Sequence, residues 1–242
     1  MDPEIKVVPD LSEIAHEAAD RIVAAADRAA DEGRTFSIAL SGGSTPRALY
    51  ELLAGPAYRS RIDWPRVEVF FGDERTVPPD HKDSNYRMAY EALLSNVPIP
   101  GDNVYRMAGE LEPHEAATQY GQMLKEKFGE GGLDMVLLGM GDDGHTASLF
   151  PETEALNETR HRCVANFVPK LSTWRITLTA PFINRSKGVM FLVSGASKAV
   201  RLQEVLEGPR DPRRLPSQLI QPTNGRLTWL VDAPAAGMTA EE

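Results

Sequence analysis

The sequence is almost without cysteine, having only Cys163 in 242 residues. One cysteine makes no intrachain disulfide, so the core must hold the fold, and a reducing compartment is the expected setting. Cys163 lies in the strand-like segment His161-Arg162-Cys163-Val164-Ala165, where it is either a small core residue or a reactive thiol. Long apolar runs are also missing. No stretch approaches the ~18 residues needed to span a bilayer, so no membrane attachment is expected. Met1-Asp2-Pro3-Glu4 is acidic and lacks the apolar segment of a secretory signal. A cytoplasmic protein follows as the expectation. Positive charge is in deficit, with 26 Lys and Arg against 35 Asp and Glu, a formal charge of −9. That argues against nucleic-acid binding, which needs a basic face. An anionic small molecule is not excluded, because local backbone N–H groups and side chains decide its binding.

Internal repeats and low-complexity linkers are absent too, and the Pro/Arg stretch Pro209–Pro216 is short enough to be a loop. A single domain over residues 1–242 is therefore expected, with a mobile C-terminal tail at 234–242. Apolar residues make up 42% of the chain, enough for one ordinary globular core. Nothing in the sequence chooses between a monomer and a homo-oligomer.

What is present alternates between strand and helix patterns. Ile5–Val8 reads as a short strand. Leu11, Ile14, Ala15, Ala18, Ile22, Ala25, Ala26 and Ala29 recur at helical spacing as far as Gly33. Buried strands are expected at Phe36–Leu40, Val67–Phe71, Met135–Leu138, Val189–Val193 and Leu227–Val231, with further strands at Val164–Val168 and Arg175–Thr179. A short strand is expected near Val104. Helices are expected at Arg47–Leu53, Tyr86–Leu94 (capped by Asp83 or Ser84) and Pro113–Phe128, and after Lys198 as far as Glu207. This alternation predicts an α/β fold: a three-layer, mostly parallel, doubly wound, Rossmann-like sheet with helices on both faces.

Four strand ends carry unusual loops that such a sheet could bring together. Ser41-Gly42-Gly43-Ser44-Thr45 lies between a strand and a helix. Its glycines allow close backbone approach, its hydroxyls donate, and the helix N-terminus favours an anion such as phosphate. No Gly-Lys-Ser/Thr follows, so it is not a Walker A loop; the plainer reading is a tight turn. Gly72-Asp73-Glu74-Arg75 offers two carboxylates and a guanidinium that either clamps an anion or closes an ion pair at the sheet rim. Lys198, behind Ser194-Gly195-Ala196, is a cation at a helix start, unfavourable there unless an anion is near. Arg175 heads a strand and either reaches the same anion or faces solvent.

The fourth loop, Gly139-Met140-Gly141-Asp142-Asp143-Gly144-His145, follows a buried strand. Its G-x-G-x-x-G spacing matches a dinucleotide motif. The mid-chain position, two carboxylates facing a pyrophosphate and a proline at 151 that curtails any helix all count against that reading. His145 is the alternative centre of interest. Histidine suits acid–base chemistry near neutral pH, and Asp142 or Asp143 could fix its tautomer. The same carboxylates could instead cap a helix through Thr146 to Phe150. No second His or Cys at ligand spacing supports a metal.

In order along the chain, these stretches resemble the 6-phosphogluconolactonase family, of the type related to glucosamine-6-phosphate deaminase. The matching segments are Ser41–Pro46, Gly72–Arg75 with Asp83-Ser84-Asn85-Tyr86, Gly139–Pro151, Arg175–Thr179 with Pro181, Gly195–Lys198 and Leu215-Pro216-Ser217. The deaminase relatives differ at two points. They have a histidine-linked glutamate where this chain has Phe150, and Met-Asp-Glu-Tyr where it has Gly72–Arg75. Both departures favour the lactonase.

The resemblance implies hydrolysis of 6-phospho-D-glucono-1,5-lactone to 6-phosphogluconate in the oxidative pentose phosphate pathway, with no cofactor. It implies His145 as general base, Asp143 orienting it, and Asp73 bonding a sugar hydroxyl. Ser41, Gly42, Gly43, Ser44, Thr45, Arg175 and Lys198 would hold the phosphate, and Arg75 would face either the phosphate or the C1 carboxylate. A hexosamine-6-phosphate deaminase or isomerase is the second reading. A non-catalytic sugar-phosphate sensor is the third, and it would call for a partner- or DNA-binding segment that is not visible.

Overall fold

A computed structural model describes residues 2–238 of the chain. Its elements are β1 (Glu4–Val8), α1 (Leu11–Asp31), β2 (Phe36–Leu40), α2 (Ser44–Ala54), β3 (Val67–Phe71), β4 (Asp73–Arg75), α3 (Asn85–Ala92), α4 (Pro113–Phe128), β5 (Met135–Leu138), β6 (Cys163–Val168), β7 (Thr173–Leu178), α5 (Ala180–Ile183), β8 (Gly188–Val193), α6 (Ala199–Glu207) and β9 (Arg226–Asp232). Six strands form one sheet in the order β1-β9-β8-β5-β2-β3, with every neighbouring pair parallel. Every residue of β2 and β5 is buried, as expected for central strands covered on both faces. Helix α1 contributes the buried stripe Ile14, Ala15, Ala18, Ala19, Ile22 and Ala26. It starts where the Asp10 side chain accepts from the Glu13 N–H at 3.0 Å. Among the described residues, no helix is long and apolar enough to cross a membrane.

The strand order reverses at β2. The chain passes from β2 to β3 on one side and later returns to β5 on the other. Loops leaving β2 and β5 therefore diverge from neighbouring carboxyl ends and open a crevice, the usual ligand position in such sheets. These loops are Ser41–Gly43 and Gly139–His145.

The segments at Val164–Val168 and Arg175–Thr179 are strands, but they lie outside the parallel sheet. They pair antiparallel as β6 and β7 in a small sheet of order β4-β7-β6. Gly72 joins the two sheets: its N–H donates to Leu40 O and its carbonyl accepts from Leu178 N–H, each at 2.8 Å. The small sheet thus stands over the carboxyl end of β3, and α4 packs against it.

Several expectations are corrected. Val104 makes only an isolated bridge to Val69, because the 3-10 turn at Gly101–Asn103 leaves no run of extended residues. Helix α2 begins at Ser44 rather than Arg47, since Gly43, at φ 108°, serves as its N-cap. No helix forms through Thr146 to Phe150. Ala147 has φ 46° and Thr146 bridges Leu149, which makes a tight turn. At the C-terminus, residues 234–238 form a turn. Ala235 N–H donates to the Asp232 carboxylate at 2.8 Å, and the Ala235 side chain is buried. Residues 239–242 of the expected tail lie outside the described residues. Cys163 is buried, and burial pushes its thiol pKa well up, which fits the core residue rather than the reactive thiol.

Candidate active site

The crevice is a cleft of about 400 Å³ lined by parts of three of the four loops and by β7. Ser41, Gly42 and Gly43 come from the end of β2, and Asp73 and Arg75 from β4. Gly139–Asp143 and His145 come from the end of β5, and Arg175 from β7. Ser44 and Thr45 do not line it; they form the first turn of α2. Lys198 does not line it either. Its Nζ lies 2.5 Å from Asp142 Oδ1, so the anion beside that helix start is a carboxylate of the chain itself.

His145 is held on two sides. Asp143 Oδ1 lies 2.6 Å from its Nδ1 and also accepts the His145 backbone N–H at 3.2 Å. With a carboxylate on Nδ1, that nitrogen is the donor of the pair, and in the neutral ring Nε2 is then the acceptor. The imidazole stacks on Phe150, with centroids 4.0 Å apart and planes 21° apart. Lys170 Nζ lies 3.0 Å from the second Asp143 oxygen. Burial pushes the Asp143 carboxyl up, but the His145 contact and the Lys170 charge outweigh it, and its pKa falls well below the ordinary range. Of the two aspartates left open by the sequence, Asp143 is therefore the one against the histidine.

The glycines build this turn and leave the dinucleotide reading without a helix to carry it. A Cβ on Gly141 would meet the His145 ring at 2.0 Å, and Gly144 has φ 82°. The Gly144 carbonyl accepts from the Ser217 N–H at 2.9 Å and from Ser217 Oγ at 2.8 Å. Thr146 Oγ1 donates to Gly139 O at 2.9 Å. On the other side of the crevice, the buried Tyr50 hydroxyl accepts from Ser41 N–H and donates to Ser41 O, each at 2.8 Å. The N-cap of α2 has no side-chain hydrogen bond, so its first N–H groups remain available to an anion.

Arg75 and Arg175 are direct cross-strand partners. Arg75 Nη1 donates to Asp83 O at 2.6 Å, and among the described residues neither guanidinium makes an ion pair with a carboxylate. Burial, followed by the Arg75 charge, pulls the pKa of Arg175 down. Two cations side by side in a concave site favour an anionic ligand. Asp73, 8% exposed, receives Ser148 Oγ at 2.6 Å and Asn85 Nδ2 at 3.1 Å. Its neighbour Glu74 is buried, and its pKa is raised by that burial. Glu74 accepts the N–H groups of Asn85 and Tyr86 at 2.7 and 2.8 Å, tying β4 to the start of α3.

Sequence reasoning missed Asn85, Ser148, Lys170 and Leu171 as cleft residues. Asn85 and Ser148 lie inside segments already noticed, Asn85 between the cap candidates Asp83 and Ser84 and the helix expected from Tyr86, and Ser148 in the stretch offered as a possible helix. Lys170 and Leu171 belong to the β6–β7 connection, and no pattern marks an exposed turn as reaching another loop.

The family model for glucosamine-6-phosphate isomerases/6-phosphogluconolactonase matches residues 9–229. A 6-phosphogluconolactonase of Nostoc sp. is 43% identical over 241 residues, covering 97% of this chain and 98% of that protein. One from Synechocystis sp. is 46% identical over 206 residues, 82% of each. Among solved structures, a 6-phosphogluconolactonase from Trypanosoma cruzi superposes with a TM-score of 0.85 at 30% identity, covering 99% of this chain and 97% of that one.

Proposed function

The chain belongs to the family of glucosamine-6-phosphate isomerases and 6-phosphogluconolactonases, and from that membership we propose that it hydrolyses 6-phospho-D-glucono-1,5-lactone to 6-phosphogluconate with His145 as general base. Relatives at 43% and 46% identity carry the lactonase name, which supports a hydrolase acting on a sugar-phosphate lactone. The observation that carries the mechanism is one cleft holding both the Asp143–His145 pair and the two arginines.

A lactone is an activated ester, so a positioned base and electrostatic help suffice. His145 Nε2 takes a proton from water, and the water oxygen attacks C1. As the tetrahedral intermediate collapses, the C1–ring oxygen bond breaks and the same proton passes to the leaving ring oxygen. Asp143 keeps the imidazole oriented and stabilises its protonated form, as the aspartate of a hydrolytic triad does. A positioned acid–base group of this kind contributes ~10²–10⁴ in rate.

The phosphate, remote from C1, is held by Ser41–Gly43, the start of α2 and Arg175, with Ser44 and Thr45 supplying first-turn N–H groups. Its binding energy goes into positioning C1. Lys198 reaches the phosphate only by releasing Asp142, 2.5 Å away, so the proposal rests chiefly on the loop and the arginines. Arg75 sits beside Arg175 and contacts the phosphate or the developing carboxylate. Asp73 accepts a hydrogen bond from a sugar hydroxyl. The product would feed the oxidative pentose phosphate pathway.

The test is turnover of freshly generated lactone with spontaneous hydrolysis subtracted. A catalysed rate proportional to enzyme concentration is expected. A rate indistinguishable from background would remove the assignment, and ammonia release from glucosamine 6-phosphate would replace it with the deaminase.

A further inference from the structure

Asn85 is 3% exposed, and its side-chain oxygen is buried without a hydrogen-bond partner. A buried orphan acceptor is costly and calls for an explanation. The neighbours supply one. Asn85 Nδ2 donates to two oxygens of Asp73, the backbone carbonyl at 2.9 Å and the carboxylate Oδ1 at 3.1 Å. Both are acceptors, so only the NH₂ end of the amide can face them. The oxygen is thereby turned toward the Ser41–Gly43 loop, where a Cβ on Gly42 would come within 2.0 Å of it. The Asn85 oxygen thus occupies the space that a side chain on Gly42 would need. The Asn85 backbone N–H is itself fixed on buried Glu74 at 2.7 Å, so the side chain has little freedom to turn away.

We propose that Asn85 is a positioning residue whose amide holds the Asp73 carboxylate in the cleft while its oxygen sets the height of the Gly42 backbone. One side chain then fixes the spacing between the loop that receives the phosphate and the carboxylate that faces the sugar. This deepens the lactonase reading and rests on it for the identity of the two ligand ends. The Gly42 requirement follows as well: any larger residue there must displace Asn85 and, with it, Asp73.

The near-isosteric variant Asn85→Asp tests the role of the donor. Its new carboxyl would face the acceptors of Asp73, with Glu74 and Arg75 on the same strand and Arg175 on the neighbouring strand β7. When protonated it donates as the amide did; when ionised it repels Asp73. At pH 8 the variant is expected to lose about ten- to hundredfold in kcat/KM, the effect of a lost hydrogen bond to a charged group. The deficit relative to wild type should shrink steadily as the pH falls toward 5. A deficit that stays constant with pH, or none at pH 8, overturns the proposal. Melting temperatures of both proteins over the same range give a readout independent of turnover, and the gap should widen as the pH rises. If wild type shows no lactone hydrolysis, the lactonase reading fails alone. A widening melting gap then still supports Asn85 as the donor to Asp73, and a constant gap removes it.

Discussion

Arg75 and Arg175 stand directly opposite each other across the β4–β7 pair, and both line the cleft. Like charges at directly opposed positions destabilise an antiparallel pair by ~0.2–1 kcal/mol. The arrangement therefore costs stability in the empty protein and is offset when an anion lies between the guanidiniums. Arg175→Gln should raise the melting temperature of the free protein by about 1–4 °C. The same substitution should weaken 6-phosphogluconate binding about ten- to hundredfold, the loss of a charge-assisted bond. Thermal melts with and without 6-phosphogluconate check both halves. A variant less stable when free yet unchanged in affinity would mark Arg175 as structural.

The stack of His145 on Phe150 orients the imidazole without touching the anion side of the cleft. Phe150→Leu should lower kcat about tenfold, because a small misplacement of a reacting group is expensive, and should leave KM within about twofold of wild type on the same argument. Phe150→Ala adds a cavity and should cost ~3–5 kcal/mol of stability. Steady-state kinetics and denaturant unfolding separate the two effects. A rise in KM with unchanged kcat would contradict the orienting role.

Asp143 links acid stability to the same pair. Its folded pKa is depressed well below the ordinary aspartate value, so its stabilisation of the fold is fully present above that ordinary value. The contribution is lost as the pH falls from about 4 toward the folded pKa. Asp143→Asn removes this dependence. Its melting temperature should lie below that of wild type at pH 6, and the gap should begin to narrow as the pH drops from about 4 to 3. Parallel curves over that range would mean that the carboxylate contributes no differential proton binding.

Much of this was legible in the sequence, for reasons that differ by element. Met135–Leu138 and Phe36–Leu40 declared themselves because a strand buried on both faces needs a continuous apolar run. Ser41–Gly43, Asp73, Asp143 and His145 followed because strand ends of such a sheet are where ligands bind. The antiparallel sheet was not legible, since Arg175–Thr179 carries the same alternation in either sheet and only the Gly72 joint decides. The partner of Lys198 was hidden for a related reason. A cation at a helix start does call for an anion, but sequence spacing could not show that Asp142, 56 residues away, supplies it. Asn85 was invisible because its meaning lies in one unpaired oxygen against Gly42.

The central claim is that His145, oriented by Asp143, takes the proton from the attacking water. The most direct test is the rate of lactone hydrolysis by His145→Gln against wild type, with background subtracted and with binding confirmed by a melting shift on adding 6-phosphogluconate. The account predicts a loss of ~10²–10⁴ in kcat with the shift retained. A variant that binds the product and still turns over within a few-fold of wild type would contradict it.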